Sequence, residues 1–269
     1  MSNLIVTDEG ERSAVRAWLN IQRSANTRRA YERIAIAYIT AYSLREAGIE
    51  QLVIWQQGLR GSSSSVALST AAIKSLYSFL YRAGAIPINP ATLLKVPRVR
   101  SNLAERILSV DEVRAILKEA RNGKNGVRNH SLFALMFYSG LRISEVESLN
   151  WSDLRGGVLN VWGKGEKERN VTLPESLAEE LERLRGDGSM FGIERSVIHK
   201  TIKGIIKRAG LGVKISCHWL RHANASIALD GGASIKCIQE TLGHSSINTT
   251  ARYLHVKPGE SSGNFLPKL

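Results

Sequence analysis

The C-terminal part of the chain contains three short motifs that decide its fold and chemistry: CHWLRH at 217–222, LGH at 242–244 and TTARY at 249–253. His218 and Arg221 lie three residues apart, so they share one face of a helix. Gly243 follows apolar residues at helical spacing and predicts a helix end, with His244 just beyond it. The pattern predicts that these side chains and Tyr253 converge from three short helices.

This combination of side chains suits chemistry on a phosphodiester. An arginine guanidinium donates to phosphate oxygens through a planar fork and keeps its charge. A histidine titrates near neutrality and can accept or give a proton. A tyrosine hydroxyl beside these groups can act as a nucleophile. The motifs therefore indicate a site that binds a phosphate ester and attacks it.

Two further motifs lie upstream: SGLRISEV at 139–146 and WGKGEKER at 162–169. In order and spacing, the motifs resemble the first arginine box, the lysine hairpin and the C-terminal signature of the tyrosine recombinases, also called the lambda-integrase or phage integrase family. The resemblance covers nearly the whole chain. Its type is similar to the short, simple Xer-like and Cre-like recombinases.

The resemblance implies a set of site residues. The expected catalytic residues are Arg142, Lys164, His218, Arg221, His244 and the nucleophile Tyr253. Glu145 and His222 are expected to support them. Each residue also has a purely structural interpretation. Arg142 would form an ion pair with Glu145, and Lys164 would be an ordinary turn lysine. His218 and His244 would be satisfied structural histidines, and Tyr253 would be a half-buried tyrosine. Lys167 is a nearby competitor for the role of Lys164.

The implied function is site-specific DNA recombination, in which strands are cut and rejoined through a 3′-phosphotyrosyl intermediate. No cofactor, metal ion or ATP is expected, because the ester conserves the bond energy. The biological result, whether integration, excision, inversion or resolution, stays open. The alternatives are a relaxing topoisomerase or hairpin-forming resolvase with the same chemistry, and a DNA-binding protein without activity.

The charge balance favours a polyanionic partner. The net charge is +13 and the pI is about 10.0, with 13 Lys and Arg against 6 Asp and Glu in residues 1–100 and 24 against 18 in the rest. We expect double-stranded DNA as partner, bound by a homo-tetramer or by a hetero-assembly with a second recombinase. The expected DNA contacts outside the motifs are Arg28, Arg29, Arg33, Lys95, Arg98 and Arg100.

The predicted fold is mainly α-helical with a small β-sheet. The resemblance implies an N-terminal helical, SAM-like core-binding domain and a C-terminal α+β catalytic domain, together forming a C-shaped clamp on DNA. Prolines and basic residues near position 95 predict a linker. The predicted division is therefore 1–94 for the first domain, 95–104 for the linker, 105–257 for the catalytic domain and 258–269 for a C-terminal tail.

Local patterns predict several element boundaries. Serines at 62–65 indicate a flexible connector, with a helix starting near 69–70 and ending at Gly84. Capping boxes are predicted at 109–112 and at 144–147. Two strand-like runs at 158–162 and 169–173 predict a hairpin that carries Lys164 at its turn.

The two cysteines, Cys217 and Cys237, do not make a disulfide framework and fit a cytoplasmic protein. No signal peptide is recognisable, and no apolar run approaches the ~18 residues of a membrane span. A zinc site at His218 and His222 is disfavoured, because Arg221 would add positive charge beside the metal and no glutamate follows His218.

Overall fold

A computed structural model describes residues 9–99, 107–163, 168–212, 215–244, 246 and 250. The chain divides into two compact units, Met1–Ser101 and Asn102–Leu269. The finer division into core-binding domain, linker, catalytic domain and tail stays a prediction, and the tail lies outside the described residues.

The first unit is built from helices. They are α1 (Glu9–Asn20), α2 (Ala25–Ile39), α3 (Ile49–Gly58), α4 (Ser63–Arg82) and a 3-10 turn at Pro90–Leu93. Their apolar faces bury Trp18, Tyr38 and Tyr77 completely. The hydroxyls of Tyr38 and Tyr77 lie 2.9 Å apart and satisfy each other inside this core.

The serine run was predicted as a connector, and this is wrong. Helix α4 begins at Ser63, and the Ser62 hydroxyl is its N-cap, accepting a hydrogen bond of 3.2 Å from the backbone N–H of Ser65. A serine hydroxyl satisfies one of the free N–H groups of a first turn, so a serine run is compatible with a helix start.

The end of the first unit is held by side chains of its own helices. The Lys74 ammonium donates to three backbone carbonyls, those of Ala91, Thr92 and Leu94. Gln56 donates from Nε2 to the Lys95 carbonyl over 2.9 Å. The basic segment that begins at Lys95 therefore starts from a fixed point on this unit.

The second unit combines helices with one sheet. Its elements are α5 (Val110–Ala120), α6 (Gly126–Ser139), α7 (Ile143–Ser148), a 3-10 turn (Trp151–Asp153), β1 (Leu154–Arg155), β2 (Val158–Trp162), β3 (Glu168–Thr172), α8 (Glu175–Arg183), α9 (Arg195–Arg208), α10 (Cys217–Asp230) and α11 (Ile235–Leu242). The mainly α-helical fold with a small sheet is confirmed. None of the helices in the described part of the chain has the length and apolar character to cross a bilayer.

The sheet is antiparallel in the order β1-β2-β3. Leu159 faces Val171 in the register of β2 and β3, and Val161 faces Arg169. The hairpin strands were predicted, but β1 was not, because a strand of two residues has no periodicity to detect. The turn between β2 and β3, at 164–167, lies outside the described residues.

Helix α10 packs against α5, α6 and α11 and brings distant motifs together. Gly140 ends α6 in a left-handed conformation, with φ of 59°. A side chain at this position would collide with Leu242 and approach Asn224. Glycine therefore allows the end of α6 to meet the end of α11.

Candidate active site

Arg142 occupies the N-cap of α7 and is tied to Glu145. The Arg142 backbone N–H donates to Glu145 Oε2 and its Nη1 donates to Oε1, both over 2.8 Å. The predicted capping box at 144–147 is therefore wrong by two residues. The helix starts earlier, so Glu145 is the side chain that reaches back to the cap, while Glu147 pairs with Arg195.

Arg169 on β3 holds Glu145 from the other side. Its Nη2 donates to Glu145 Oε2 over 2.8 Å and its Nη1 to Oε1 over 3.2 Å. Burial of Glu145 would raise its pKa, but the hydrogen bonds from Arg169 and then Arg142 outweigh burial and lower it. Arg169 lies in the hairpin motif, but no role for it was predicted from the sequence.

Arg221 joins the ends of two helices. Arg221 is only 3% exposed. Its guanidinium donates to the carbonyls of Gly140 and Leu242, the second over 2.6 Å. These carbonyls belong to the last residues of α6 and α11, where a cation also suits the helix dipole. Arg221 is therefore fixed by the backbone of two motifs.

His244 follows the helix end that Gly243 forms. Gly243 has φ of 62°, as the motif predicted. The ring Nδ1 of His244 lies 2.9 Å from the Thr250 hydroxyl, and its backbone N–H donates to the Gln239 carbonyl over 3.1 Å. Desolvation, followed by the charges of Arg221 and Arg142, lowers the pKa of His244 to about 4.

His218 lies in the first turn of α10, with His222 one turn later. The two rings are stacked with centroids 6.2 Å apart. Partial desolvation, followed by the charges of Arg221 and Arg142, lowers the pKa of His218 as well, although solvent still reaches the residue. His218 and Arg221 share α10, and Arg221 contacts the carbonyls just before Arg142 and His244, so all four side chains belong to one site.

The site carries excess positive charge. Within the described residues, the guanidinium groups of Arg142 and Arg169 bind the carboxylate of Glu145, and Arg221 adds a third guanidinium group that donates to backbone carbonyls. The lowered pKa values favour the neutral form of both histidines. Such a site can bind an anion, donate hydrogen bonds to its oxygens and accept a proton.

The remaining predicted residues lie either outside the described residues or in the first unit. Lys164, Tyr253 and Arg100 lie outside the described residues. Arg28, Arg29, Arg33, Lys95 and Arg98 belong to the first unit and are exposed. In the described part of the chain, no three His, Cys, Asp or Glu side chains form a group that could hold a metal ion.

Comparison with known proteins places this geometry in a family. Residues 106–260 match the phage integrase family. The chain is 32% identical over 265 residues to the tyrosine recombinase XerD of Neisseria meningitidis serogroup B, covering 89% of this chain and 90% of that protein. It is 34% identical over 217 residues to the tyrosine recombinase XerC of Pelobacter propionicus, covering 75% and 72%.

Solved structures show the same fold. A lambda integrase dimer bound to a COC' core site superposes with a TM-score of 0.76 at 18% identity, covering 93% of this chain and 79% of that one. The XerH site-specific recombinase bound to its difH substrate superposes with a TM-score of 0.70 at 21% identity, covering 95% and 89%.

The chain therefore belongs to the phage integrase family, the tyrosine recombinases. Within this family it is an enzyme of the Xer-like type and acts in site-specific DNA recombination.

Proposed function

We propose that Tyr253 is the nucleophile and that the cluster around Glu145 holds the scissile phosphate. The Tyr253 oxygen attacks phosphorus in line, the bond from phosphorus to the 5′-oxygen breaks, and a 3′-phosphotyrosyl ester forms. The 5′-hydroxyl of a partner strand then attacks the ester, releases Tyr253 and completes the exchange. Bond energy is kept in the ester throughout.

Arg142, Arg221 and His244 stabilise the charge that develops on the phosphate oxygens. The observation that carries this proposal is that Arg221, three residues after His218 on α10, donates to the carbonyls of Gly140 and Leu242, each two residues before Arg142 or His244. When Thr250 donates to Nδ1 of His244, the ring hydrogen is on Nε2, which can donate a hydrogen bond to a phosphate oxygen.

His218 and Lys164 move the protons. A neutral His218 with a lowered pKa can accept the proton of the Tyr253 hydroxyl, and Lys164 gives a proton to the departing 5′-oxygen. His222, stacked near His218, keeps its supporting role. The two proton transfers balance, because one proton leaves the nucleophile and another reaches the leaving group.

Both units contact DNA in this proposal. The exposed Arg28, Arg29, Arg33, Lys95 and Arg98, together with Arg100, neutralise backbone phosphates, so affinity falls steeply as salt rises. A nearly flat salt dependence would contradict these contacts. The clamp shape and assembly as a tetramer, with itself or with a second recombinase, remain proposals; the lambda integrase relative is a dimer on its DNA.

Covalent trapping tests the assignment. The protein is expressed in cells, DNA that stays bound to the denatured protein and is released by protease is recovered, and its sequence gives a duplex for assays in vitro. Tyr253→Phe removes one oxygen and is expected to bind this duplex without forming the adduct. The control Tyr81→Phe changes an exposed tyrosine of the first unit and is expected to keep the adduct. An adduct with Tyr253→Phe would disprove the assignment.

Two further comparisons separate the alternatives. Strand exchange between two copies of the recovered site is expected, whereas relaxation of one plasmid without exchange would indicate a topoisomerase. Cleavage is expected to be the same with and without EDTA, since arginine, lysine and histidine supply the charge and protons.

A cytoplasmic location also stays a proposal, supported by two free thiols at Cys217 and Cys237.

A further inference from the structure

We propose that Arg169 is a positioning residue for strand cleavage, which fixes Glu145 and the end of α11 and through them the arginine and histidine that bind the phosphate. This inference rests on the proposed function, and it gives a role to a side chain outside the catalytic set.

The first contact of Arg169 is with Glu145. Glu145 receives four hydrogen bonds, two from Arg142 and two from Arg169. The residue is 5% exposed, so its charge depends on these donors. Arg142 is held by the same carboxylate. Loss of Arg169 would leave Glu145 with half of its donors and free to turn toward Arg142 or toward the phosphate.

The second contact of Arg169 is with α11. Its Nε donates to the Thr241 carbonyl over 2.9 Å, one of the last carbonyls of the helix. Gly243 packs directly on the guanidinium, since a side chain carbon at Gly243 would lie 3.0 Å from Nη1. His244 is the next residue. Arg169 therefore supports the turn that presents His244.

The exposure of the two arginines separates positioning from catalysis. The Arg169 side chain is 10% exposed, and each of its three nitrogens donates to a protein oxygen. The Arg142 side chain is 29% exposed. Arg142 is therefore open to a phosphate, while Arg169 is occupied by the protein and acts through its neighbours. Its planar fork makes lysine an incomplete substitute.

The test compares Arg169→Gln and Arg169→Lys with a matched control, Arg185→Lys. Arg185 also donates to two backbone carbonyls and a carboxylate, those of Trp151, Leu154 and Glu182, but does not contact Glu145. The recovered duplex carries a nick that traps the adduct. The single-turnover rate of adduct formation and the Kd for this DNA are measured on it. Thermal unfolding sets a temperature at which each variant is folded.

We expect Arg169→Gln to lower the cleavage rate roughly 10²-fold, since small displacements of reacting groups have effects of this size, with little change in Kd. Arg169→Lys is expected to recover part of the rate, and Arg185→Lys to keep it. In a Glu145→Gln background, Arg169→Gln is expected to lower the rate less than it does alone, because the connection to Glu145 is already weakened and only the contact with Thr241 remains to be lost.

Wild-type cleavage rates in Arg169→Gln or Arg169→Lys would overturn the inference, as would equal losses in Arg185→Lys or additive effects with Glu145→Gln. If Arg169→Gln does not fold, the cleavage rate of Arg169→Lys and a double-mutant cycle of Arg169→Lys with Glu145→Gln test the inference instead. A wild-type protein that forms no adduct would instead overturn the proposed function, so the two failures are distinguishable.

Discussion

Among the described residues, each unit buries one glutamate in the first turn of a helix, and the two glutamates have different partners. Glu11, 6% exposed, accepts from the Ser43 hydroxyl over 2.9 Å and from the Leu44 N–H over 2.6 Å. Glu145, 5% exposed, is bound by two arginines. Burial is equal, yet one carboxylate is held by neutral donors and the other by cations.

The difference shows how a buried carboxylate can serve structure or function. Neutral donors compensate the desolvation of Glu11 and fix the turn after α2 to α1. Arg142 and Arg169 bring more charge than Glu145 neutralises, and Arg221, which donates to the carbonyls of Gly140 and Leu242, adds a third cation. The surplus is what an incoming phosphate would neutralise.

The largest effect is expected for Arg221→Lys. A lysine keeps the charge but cannot donate to both carbonyls and to a phosphate oxygen. We expect a cleavage rate about 10²–10³-fold lower, the range for losing one donor to a developing oxyanion. Adduct formation on the recovered duplex measures it. The control Arg208→Lys alters an arginine paired with Glu119 on α5 and is expected to cleave normally. Normal cleavage by Arg221→Lys would show that the planar fork of Arg221 is not needed.

Glu145→Gln tests the cationic half of the comparison. The shape is kept, but Arg142 and Arg169 lose their ionic partner, so Arg142 is no longer held in one place. We expect cleavage roughly 10–10²-fold slower. DNA affinity should not weaken, because the change makes the site more positive. Filter binding and adduct formation on the same duplex separate these effects. Weaker binding with unchanged cleavage per bound complex would contradict a positioning role for Glu145.

The local parts of this architecture were predictable from neighbouring residues. Ser109 and Glu112 form the predicted capping box, with hydrogen bonds of 3.2 and 2.8 Å, because both partners lie within one turn. Gly243 ends α11 for a similarly local reason. The prediction for the serine run was wrong because composition alone does not distinguish a connector from a helix cap.

The contacts of the buried glutamates could not be predicted in the same way. Glu145 and Arg169 are 24 residues apart and come from a helix and a strand, while Glu11 and Ser43 are 32 residues apart. Neither spacing has a local signature. Motif resemblance selected Arg142, His218, Arg221 and His244, which the structure brings together. The connecting role of Arg169 depends on tertiary packing.

The next effect concerns acid stability of the DNA-free protein. His244 has a pKa of about 4 when folded and an ordinary value near 6.5 when unfolded. The unfolded state binds more protons between these values, so this contribution to stability is present above pH 6.5 and is lost as the pH falls toward 4. At pH 5 we expect a loss of about 1–2 kcal/mol relative to pH 7.

His244→Asn is expected to reduce that loss, and urea unfolding at pH 7 and pH 5 measures it. The lowered pKa of Glu145 acts in the same direction but only below its ordinary value of 4.5, so pH 5 separates the two groups. His218 contributes in both proteins and cancels in the comparison. An identical pH dependence in wild type and His244→Asn would show that burial and the nearby arginines do not lower the pKa of His244 in the folded protein.

The smallest effect is expected for Glu11→Gln, which tests the neutral half of the comparison. Glutamine keeps an oxygen that can accept from Ser43 and Leu44, so only the charge is lost. Hydrogen bonds to a charged acceptor are stronger than neutral ones, and a carboxylate in the first turn suits the helix dipole. Together these effects predict a loss of about 1 kcal/mol in the stability of the first unit. The cleavage rate should equal that of wild type, because no contact of Glu11 reaches a residue of the catalytic cluster. Thermal unfolding and single-turnover adduct formation check both expectations on one preparation. A slower cleavage rate in a fully folded Glu11→Gln protein would show that the two buried glutamates are not divided between structure and function.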